Sequence, residues 1–264
     1  MMERLQQTAG RLMNRVRVND VHAAVRDGAP VFVKQRRAGA PVVIWCANIF
    51  LALSRSGTCM FLRTSEWTAW ETYCVQLLYP ERPGARVESG SAVVLPKVEG
   101  TSLRAMVRRN DPDVRTALVL AARELRRVHE IPCRHYRAEW SHGDLHLDNV
   151  LCDVIGQRAT LIDFDIRHEF GVAATLRQCD DVMSVLLELI GGPDDRWLPL
   201  ATAFIEEYRR PVVLQALGHQ LVAPRGFPRW LWYVRTNSAP MKQTEPRLQK
   251  LRQIMHAVQV VSHD

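Results

Sequence analysis

No two cysteines in this chain are spaced C-x-x-C: the six, Cys46, Cys59, Cys74, Cys133, Cys152 and Cys179, are scattered through 264 residues. That scatter signals neither a zinc ribbon nor a disulfide framework, and it fits a reducing, cytoplasmic setting. No run approaches the roughly 18 apolar residues of a membrane span. The longest, PVVIWCANIFLAL at 41–53, is too short and is expected to be buried core. The opening MMERLQQTAGRLMNRVRV lacks the apolar stretch of a signal peptide, so a secreted protein is not expected. Internal repeats and low-complexity tracts are also missing. Acidic residues are in the minority, 28 against 35 Lys and Arg, for a net charge of +7, and the excess is concentrated after Tyr208. Such a tail suits an anionic partner or, more plainly, a solvated helical surface.

What is present is a chain 47% hydrophobic, long enough for one large domain or two lobes around a cleft. Residues 16–37, VRVNDVHAAVRDGAPVFVKQRR, alternate short β-branched runs around Asp27-Gly28, which predicts a strand, a tight turn and a strand. Residues 64–79, TSEWTAWETYCVQLLY, place Trp67, Trp70, Cys74, Leu77 and Leu78 at helical spacing behind a Thr/Ser N-cap. A strand at 91–95 then runs into a turn at Glu99-Gly100, a natural connector between a β-rich part and a helical remainder. A helix at 113–130, a strand at 158–163 and several further helices follow. The segment GFPRWLWY, 226–233, interleaves aromatics with arginine; core packing of a C-terminal helix explains it more simply than a nucleic-acid or membrane contact.

The most informative stretch is WSHGDLHLDNVLCD, 140–153. His142 and His146 have the i, i+4 spacing of a helical zinc pair, but Gly143 and the flanking aspartates argue against a helix, and no third ligand is evident. Asp144 is followed five residues later by Asn149, and ATLIDFD places Asp163 at the end of a buried strand pattern. Phosphoryl transfer needs such a set: one carboxylate orients a hydroxyl nucleophile, while a second carboxylate and an amide oxygen hold Mg²⁺ on nucleotide phosphates. Asp144 is the candidate base, and Asn149 and Asp163 are the candidate metal ligands. The bland alternative for the three is a polar turn before a strand. Asp165 reads equally as a second metal contact or a turn residue.

The pair HGDLHLDN and DFD resembles the catalytic loop H-x-D-x-x-x-x-N and metal-binding D-F-G of the protein-kinase-like superfamily. The HGD form is more similar to small-molecule kinases such as aminoglycoside phosphotransferases and to bacterial lipopolysaccharide core sugar kinases, and DFD points to the latter. The resemblance is specific over about residues 140–190. It implies an α+β, two-lobed fold, with a small β-rich lobe over 1–98 and a larger helical lobe over 99–264. DDVMSVLLEL resembles the family's D-V-W-S helix, which implies that Asp181 braces the catalytic loop, and His142 is implied to be a buried structural residue. VFVK resembles the V-A-I-K strand, which implies that Lys34 contacts the nucleotide phosphates, with further nucleotide contacts at Leu95 and Lys97. The partner of Lys34 is expected to be Glu71, which projects from an apolar helix face, over Glu66 in the first turn.

The chain also departs from the family pattern. No G-x-G-x-x-G precedes Lys34, Phe32 stands where a small alanine is usual, and the interval from Lys34 to Glu71 is long. Gly143 replaces an arginine that pairs with an activation-loop phosphate, and no A-P-E follows Asp163, which argues against phosphorylation gating. The resulting expectation is an ATP- and Mg²⁺-dependent kinase acting on a hydroxyl, favouring a sugar of a lipopolysaccharide-type glycan. An anionic glycolipid, and peripheral contact with the cytoplasmic face of the inner membrane through arginines such as Arg229 and Arg235, would follow. The alternatives are a Ser/Thr protein kinase, an aminoglycoside-type kinase and a pseudokinase binding module. Nucleic-acid binding has only the charge in its favour and is not expected.

Overall fold

The computed structural model describes residues 18–261 apart from 83, 194–195, 237–238 and 240. The basic opening segment, 1–17, therefore lies outside the described residues. The fold is α+β, with a small antiparallel sheet toward the N-terminus and a larger helical part after it.

Strands β1 (Asn19–Arg26) and β2 (Ala29–Arg36) pair from Asn19↔Arg36 to Arg26↔Ala29. Their two-residue turn puts Asp27 at φ 53 and Gly28 at φ 76, the left-handed pair that matches strand twist and that Asp-Gly adopts cheaply. With β4 (Arg86–Ser89) and β5 (Ala92–Pro96) they form a sheet ordered β1-β2-β5-β4. Alternation along β2 sends Val31 and Val33 into a small cluster with Ala92 and Val94. The same alternation turns Phe32, Lys34 and Arg36 to the opposite face.

The long interval after Lys34 is filled by helix α1 (Ala40–Leu53) and strand β3 (Thr58–Met60). The expectation that 41–53 is buried core is wrong in its main point. Ala40, Ile44 and Leu51 are buried, but Val42, Trp45, Ile49 and Leu53 face outward. Helix α2 (Thr64–Leu78) buries Trp67, Trp70, Glu71, Cys74 and Leu78 as its spacing dictates. Its N-cap is Arg63, without a side-chain cap bond, and Thr64 is already helical; the apolar stripe, rather than a Thr/Ser cap, holds this helix.

The chain then passes through Gly100, at φ 140, where a Cβ would meet the Cys152 carbonyl oxygen at 3.0 Å. Strand β6 (Thr101–Ser102) leads into helix α3 (Leu103–Arg109), capped by the Ser102 hydroxyl accepting from the Ala105 N–H. Helix α4 (Val114–Val128) is a core helix, burying Ala117, Leu118, Ala121 and Leu125. The short pair β7 (Pro132–Cys133) and β8 (Ala138–Glu139) precedes the HGD segment. A 3-10 turn at Leu147–Asn149 leads to β9 (Val150–Asp153) and β10 (Arg158–Leu161), which share a sheet with β6. Strand β11 (Ile166–His168) crosses back to pair with β3.

Helices α5 (Ala174–Ile190), α6 (Trp197–Tyr208), α7 (Pro211–Gln220), α8 (Pro228–Arg235) and α9 (Met241–Val261) complete the large part. Helix α5 is buried along nearly its whole length, so its polar residues must find internal partners. Of the aromatics in GFPRWLWY, Trp232 is buried but Phe227 is exposed, so core packing accounts for only part of that segment. The basic tail is also less free than its composition suggests. Arg235 makes a two-point ion pair with Asp180 at 2.6 and 3.0 Å, and buried Arg247 donates to the carbonyls of Ile190 and Gly192. Arg235 therefore does not serve as a surface charge, contrary to expectation.

Candidate active site

Lys34 reaches from β2 into a cluster of carboxylates. Its Nζ lies 3.1 Å from Glu71 Oε1, 2.6 Å from Asp163 Oδ1 and 2.9 Å from Asp165 Oδ1. Glu71 is fully buried, and its second oxygen accepts from the Phe164 N–H at 3.2 Å. Glu66 instead sits in the exposed first turn beside Arg63. Burial by itself would lower the Lys34 pKa, but Asp163, Asp165 and Glu71 more than offset it and keep the ammonium protonated. Burial pushes Glu71 up to about 7 against the pull of Lys34, so one cation does not fully stabilise three carboxylates. Asp163, tied most directly to the ammonium, is nonetheless held below the ordinary carboxylate range.

Asp163 follows β10, where Ile162 still donates to the Asn149 carbonyl at 3.0 Å. The aspartate itself takes φ 67, a left-handed conformation that costs a non-glycine residue about 1–2 kcal/mol. Bonds on either side hold it there: Ile162 to Asn149 and Phe164 to Glu71. The Phe164 ring packs 5.1 Å from His142 and 5.8 Å from Trp140, so the DFD segment is fixed on buried aromatic groups.

The HGD loop is braced from α5. Asp181 accepts from the N–H of His142 at 2.7 Å and of Gly143 at 2.9 Å, and lies 3.0 Å from His129 Nε2. Burial would raise the pKa of Asp181, but the hydrogen bond from His129, together with neighbouring imidazoles, lowers it. Seven residues further, on the same face of α5, Glu188 accepts from the Leu147 N–H at 3.0 Å and pairs with Arg104 at 2.7 Å. His142 is fully buried, and burial lowers its pKa; its Nε2 lies 3.1 Å from the Ile162 carbonyl, which makes that nitrogen the donor. His146 caps the 3-10 turn by accepting from the Asp148 N–H, so the two histidines form no zinc pair.

Gly143 has φ 94, and a Cβ there would lie 2.8 Å from the Arg167 Cα and 2.9 Å from its carbonyl carbon. Strand β11 thus occupies the space beside the loop, pinned to the N-terminal part through β3 and the Glu169 N–H to Gly57 carbonyl bond. A side chain at 143 has no room.

A cavity of about 470 Å³ lies between the sheet and the helical part, lined by Phe32, Lys34, Glu71, Leu95, Lys97 and Asp163 among others. Five sequence candidates, Lys34, Glu71, Leu95, Lys97 and Asp163, therefore share one wall system. Asp144 and Asn149 are not part of that lining. They are joined to each other by the Asn149 Nδ2 bond to the Asp144 carbonyl at 2.9 Å, with the Asp144 carboxylate half exposed. Both candidate ligands offer hard oxygens: the Asn149 amide donates to the Asp144 carbonyl, which leaves its Oδ1 as an acceptor, and Asp163 meets Lys34 through Oδ1. Oxygen donors of this kind suit Mg²⁺, and a cavity of this size suits a nucleotide.

Asp165 is the residue that sequence reasoning left undecided. Besides Lys34, it accepts from the Trp67 indole N–H at 2.6 Å and from Asn19 Nδ2 at 2.5 Å. Its fully engaged carboxylate is a third anion on Lys34, and oxygens of Glu71, Asp163 and Asp165 lie within 4.8 Å of one another. The signal was the second acid of DFD, but Asn19 and Trp67 had no motif to reveal them.

No protein-family model and no curated protein matches the chain. Among solved structures, the complex of Rv3197 with erythromycin from Mycobacterium tuberculosis is similar at 16% identity, over 92% of this chain and 72% of that one, with a TM-score of 0.44. A likeness at that level carries no argument about activity.

Proposed function

We propose that this chain is a kinase-like phosphotransferase that uses ATP and Mg²⁺ to phosphorylate a hydroxyl group, with a sugar of a lipopolysaccharide-type or other envelope glycan as the favoured acceptor. The observation that carries the reading is the junction of Lys34, Glu71 and Asp163 at the wall of an apolar-lined cavity. Leu95 and Lys97 would border the base, and Lys34 would meet the phosphates. Asn149 and Asp163 would hold the magnesium, which when bound neutralises phosphate charge as the phosphoryl group leaves. Asp144 would orient the acceptor hydroxyl and take its proton. Asp181 and Glu188 touch no reacting atom; they fix the loop that carries Asp144 and Asn149.

The crossing of β11 beside Gly143 supports a small-molecule or glycan acceptor over a protein one, because it leaves no space for the arginine that reads an activation-loop phosphate. One feature favours a second reading, a nucleotide-binding module without turnover. The β1–β2 connection is a two-residue turn, with no longer loop to cover phosphates. Two experiments decide between these. A thermal-shift series with ATP, with and without Mg²⁺, tests binding; a ligand at 100 times its Kd stabilises by about 2.7 kcal/mol. Incubation with radiolabelled ATP and a fractionated envelope extract tests transfer. Binding without any labelled product would favour the module, and no ATP-induced shift with or without Mg²⁺ would remove both.

A further inference from the structure

Helix α1 is apolar on both faces, with Ala40, Ile44 and Leu51 turned inward. Its polar residue Asn48 faces the protein, where the side-chain amide donates to the Met60 carbonyl at 3.0 Å and accepts from the Met60 N–H at 2.7 Å. Its outward face is apolar. Val42, Trp45, Ile49 and Leu53 recur at intervals of three, four and four and are 69%, 58%, 41% and 56% exposed. Cys46 is exposed on the same face, and none of the 14 residues is charged. Solvated helices place polar residues outward, so a face of this kind is made to be covered by an apolar phase.

The border of the face says what covers it. Arg55 follows the helix directly. On its flank, the Phe50 ring meets Phe227 edge-on at 5.5 Å, which brings exposed Arg225 and Arg229 alongside. None of these three arginines has an ion-pair partner among the described residues. A second copy of the chain docked symmetrically would set arginine against arginine across the contact, whereas anionic headgroups would neutralise all three. At about 21 Å long the helix is too short to span a bilayer but suits one lying in its interface, apolar side down.

We propose that α1, bordered by Arg55, Arg225 and Arg229, is the surface by which this protein docks on an anionic lipid bilayer. The proposal stands apart from phosphoryl transfer, and it moves the membrane contact from the C-terminal tail at large, where Arg235 is internally paired, to the helix that packs on β3.

The test uses the full chain and vesicles of phosphatidylcholine alone or mixed with phosphatidylglycerol. Wild type is expected to co-sediment with the mixed vesicles and not with phosphatidylcholine alone, and a fluorophore on Cys46 is expected to shift its emission to the blue on binding. The double variant W45Q/I49Q, on an exposed face, is expected to keep its melting temperature yet lose the vesicle-bound fraction. R225E/R229E is expected to weaken binding by about 25-fold or more, since each basic residue near such a surface contributes about a factor of five. Equal binding by wild type and W45Q/I49Q overturns the proposal. So does a wild-type dimer in sedimentation velocity that W45Q/I49Q dissolves without any vesicle binding, which would assign the face to a second copy. Magnesium-dependent nucleotide thermal shifts on the same samples report separately on the kinase reading.

Discussion

Lys34 Nζ and Glu71 Oε1 meet at 3.1 Å although 37 residues separate them, and both side chains are almost wholly removed from water. Removing one partner of a buried pair leaves an uncompensated charge, at a cost of about 3–5 kcal/mol. Lys34→Met is therefore expected to lower the melting temperature strongly, because Glu71 loses its cation along with Asp163 and Asp165. Adding Glu71→Leu should recover part of the loss. A denaturation double-mutant cycle checks this, and simple additivity of the two changes would contradict the pairing.

Asp163 and Asp144 are expected to fail in different ways. Asp163→Asn should abolish Mg²⁺-dependent nucleotide binding, measured by calorimetry, because it removes the carboxylate assigned to the metal. Asp144→Asn should bind nucleotide normally and reduce transfer by about 10²–10⁴, the range for loss of a general base. Equal loss of nucleotide affinity in both variants would remove the division of roles.

At Gly143 the expectation is steric. Gly143→Ala places a methyl group 2.8 Å from the Arg167 Cα at a backbone angle that L-residues avoid, so β11 must move. A cost of about 1–3 kcal/mol is expected. Hydrogen exchange should quicken at 58–60 and 166–168, where β3 and β11 pair, and unchanged protection there would show that the strand does not depend on the glycine.

The ion pair of Arg235 with Asp180 has a pH signature. Burial would raise the Asp180 pKa, but Arg235 and His168 hold it below its ordinary value of 3.8. A carboxylate lowered in the folded state contributes stability above its unfolded pKa and loses it as pH falls through the folded one. Arg235→Gln should therefore destabilise the protein by about 3 kcal/mol near neutrality. The gap from wild type should narrow as pH falls below the unfolded carboxylate pKa of about 3.9, because wild-type Asp180 then progressively loses its ion-pair contribution. Urea titrations of both proteins across that range provide the measurement.

Much of this protein was legible one segment at a time. Asp27-Gly28 specified its turn, the spacing of Trp67, Trp70, Cys74 and Leu78 specified a buried helix face, and the intervals from Asp144 to Asn149 and on to Asp163 singled out candidate residues, of which Asp163 lines the cavity and Asp144 and Asn149 do not. These signals are local, because turn chemistry and helical periodicity act over a few residues. Which side of a helix meets the protein is not local, and α1 shows the limit: its composition resembled core, yet Ala40, Ile44, Leu51 and Asn48 take the inward side and leave Val42, Trp45, Ile49 and Leu53 outward. The same holds for Asp165, whose partners Lys34, Trp67 and Asn19 come from three separate elements, and for Arg235, whose sequence neighbours suggest a surface charge but whose guanidinium pairs with Asp180 of α5. Sequence decided which side chains could do chemistry and where the chain would bend; tertiary structure decided which of them face one another, because contact between distant segments depends on how helices and sheet stack, and no local pattern encodes that.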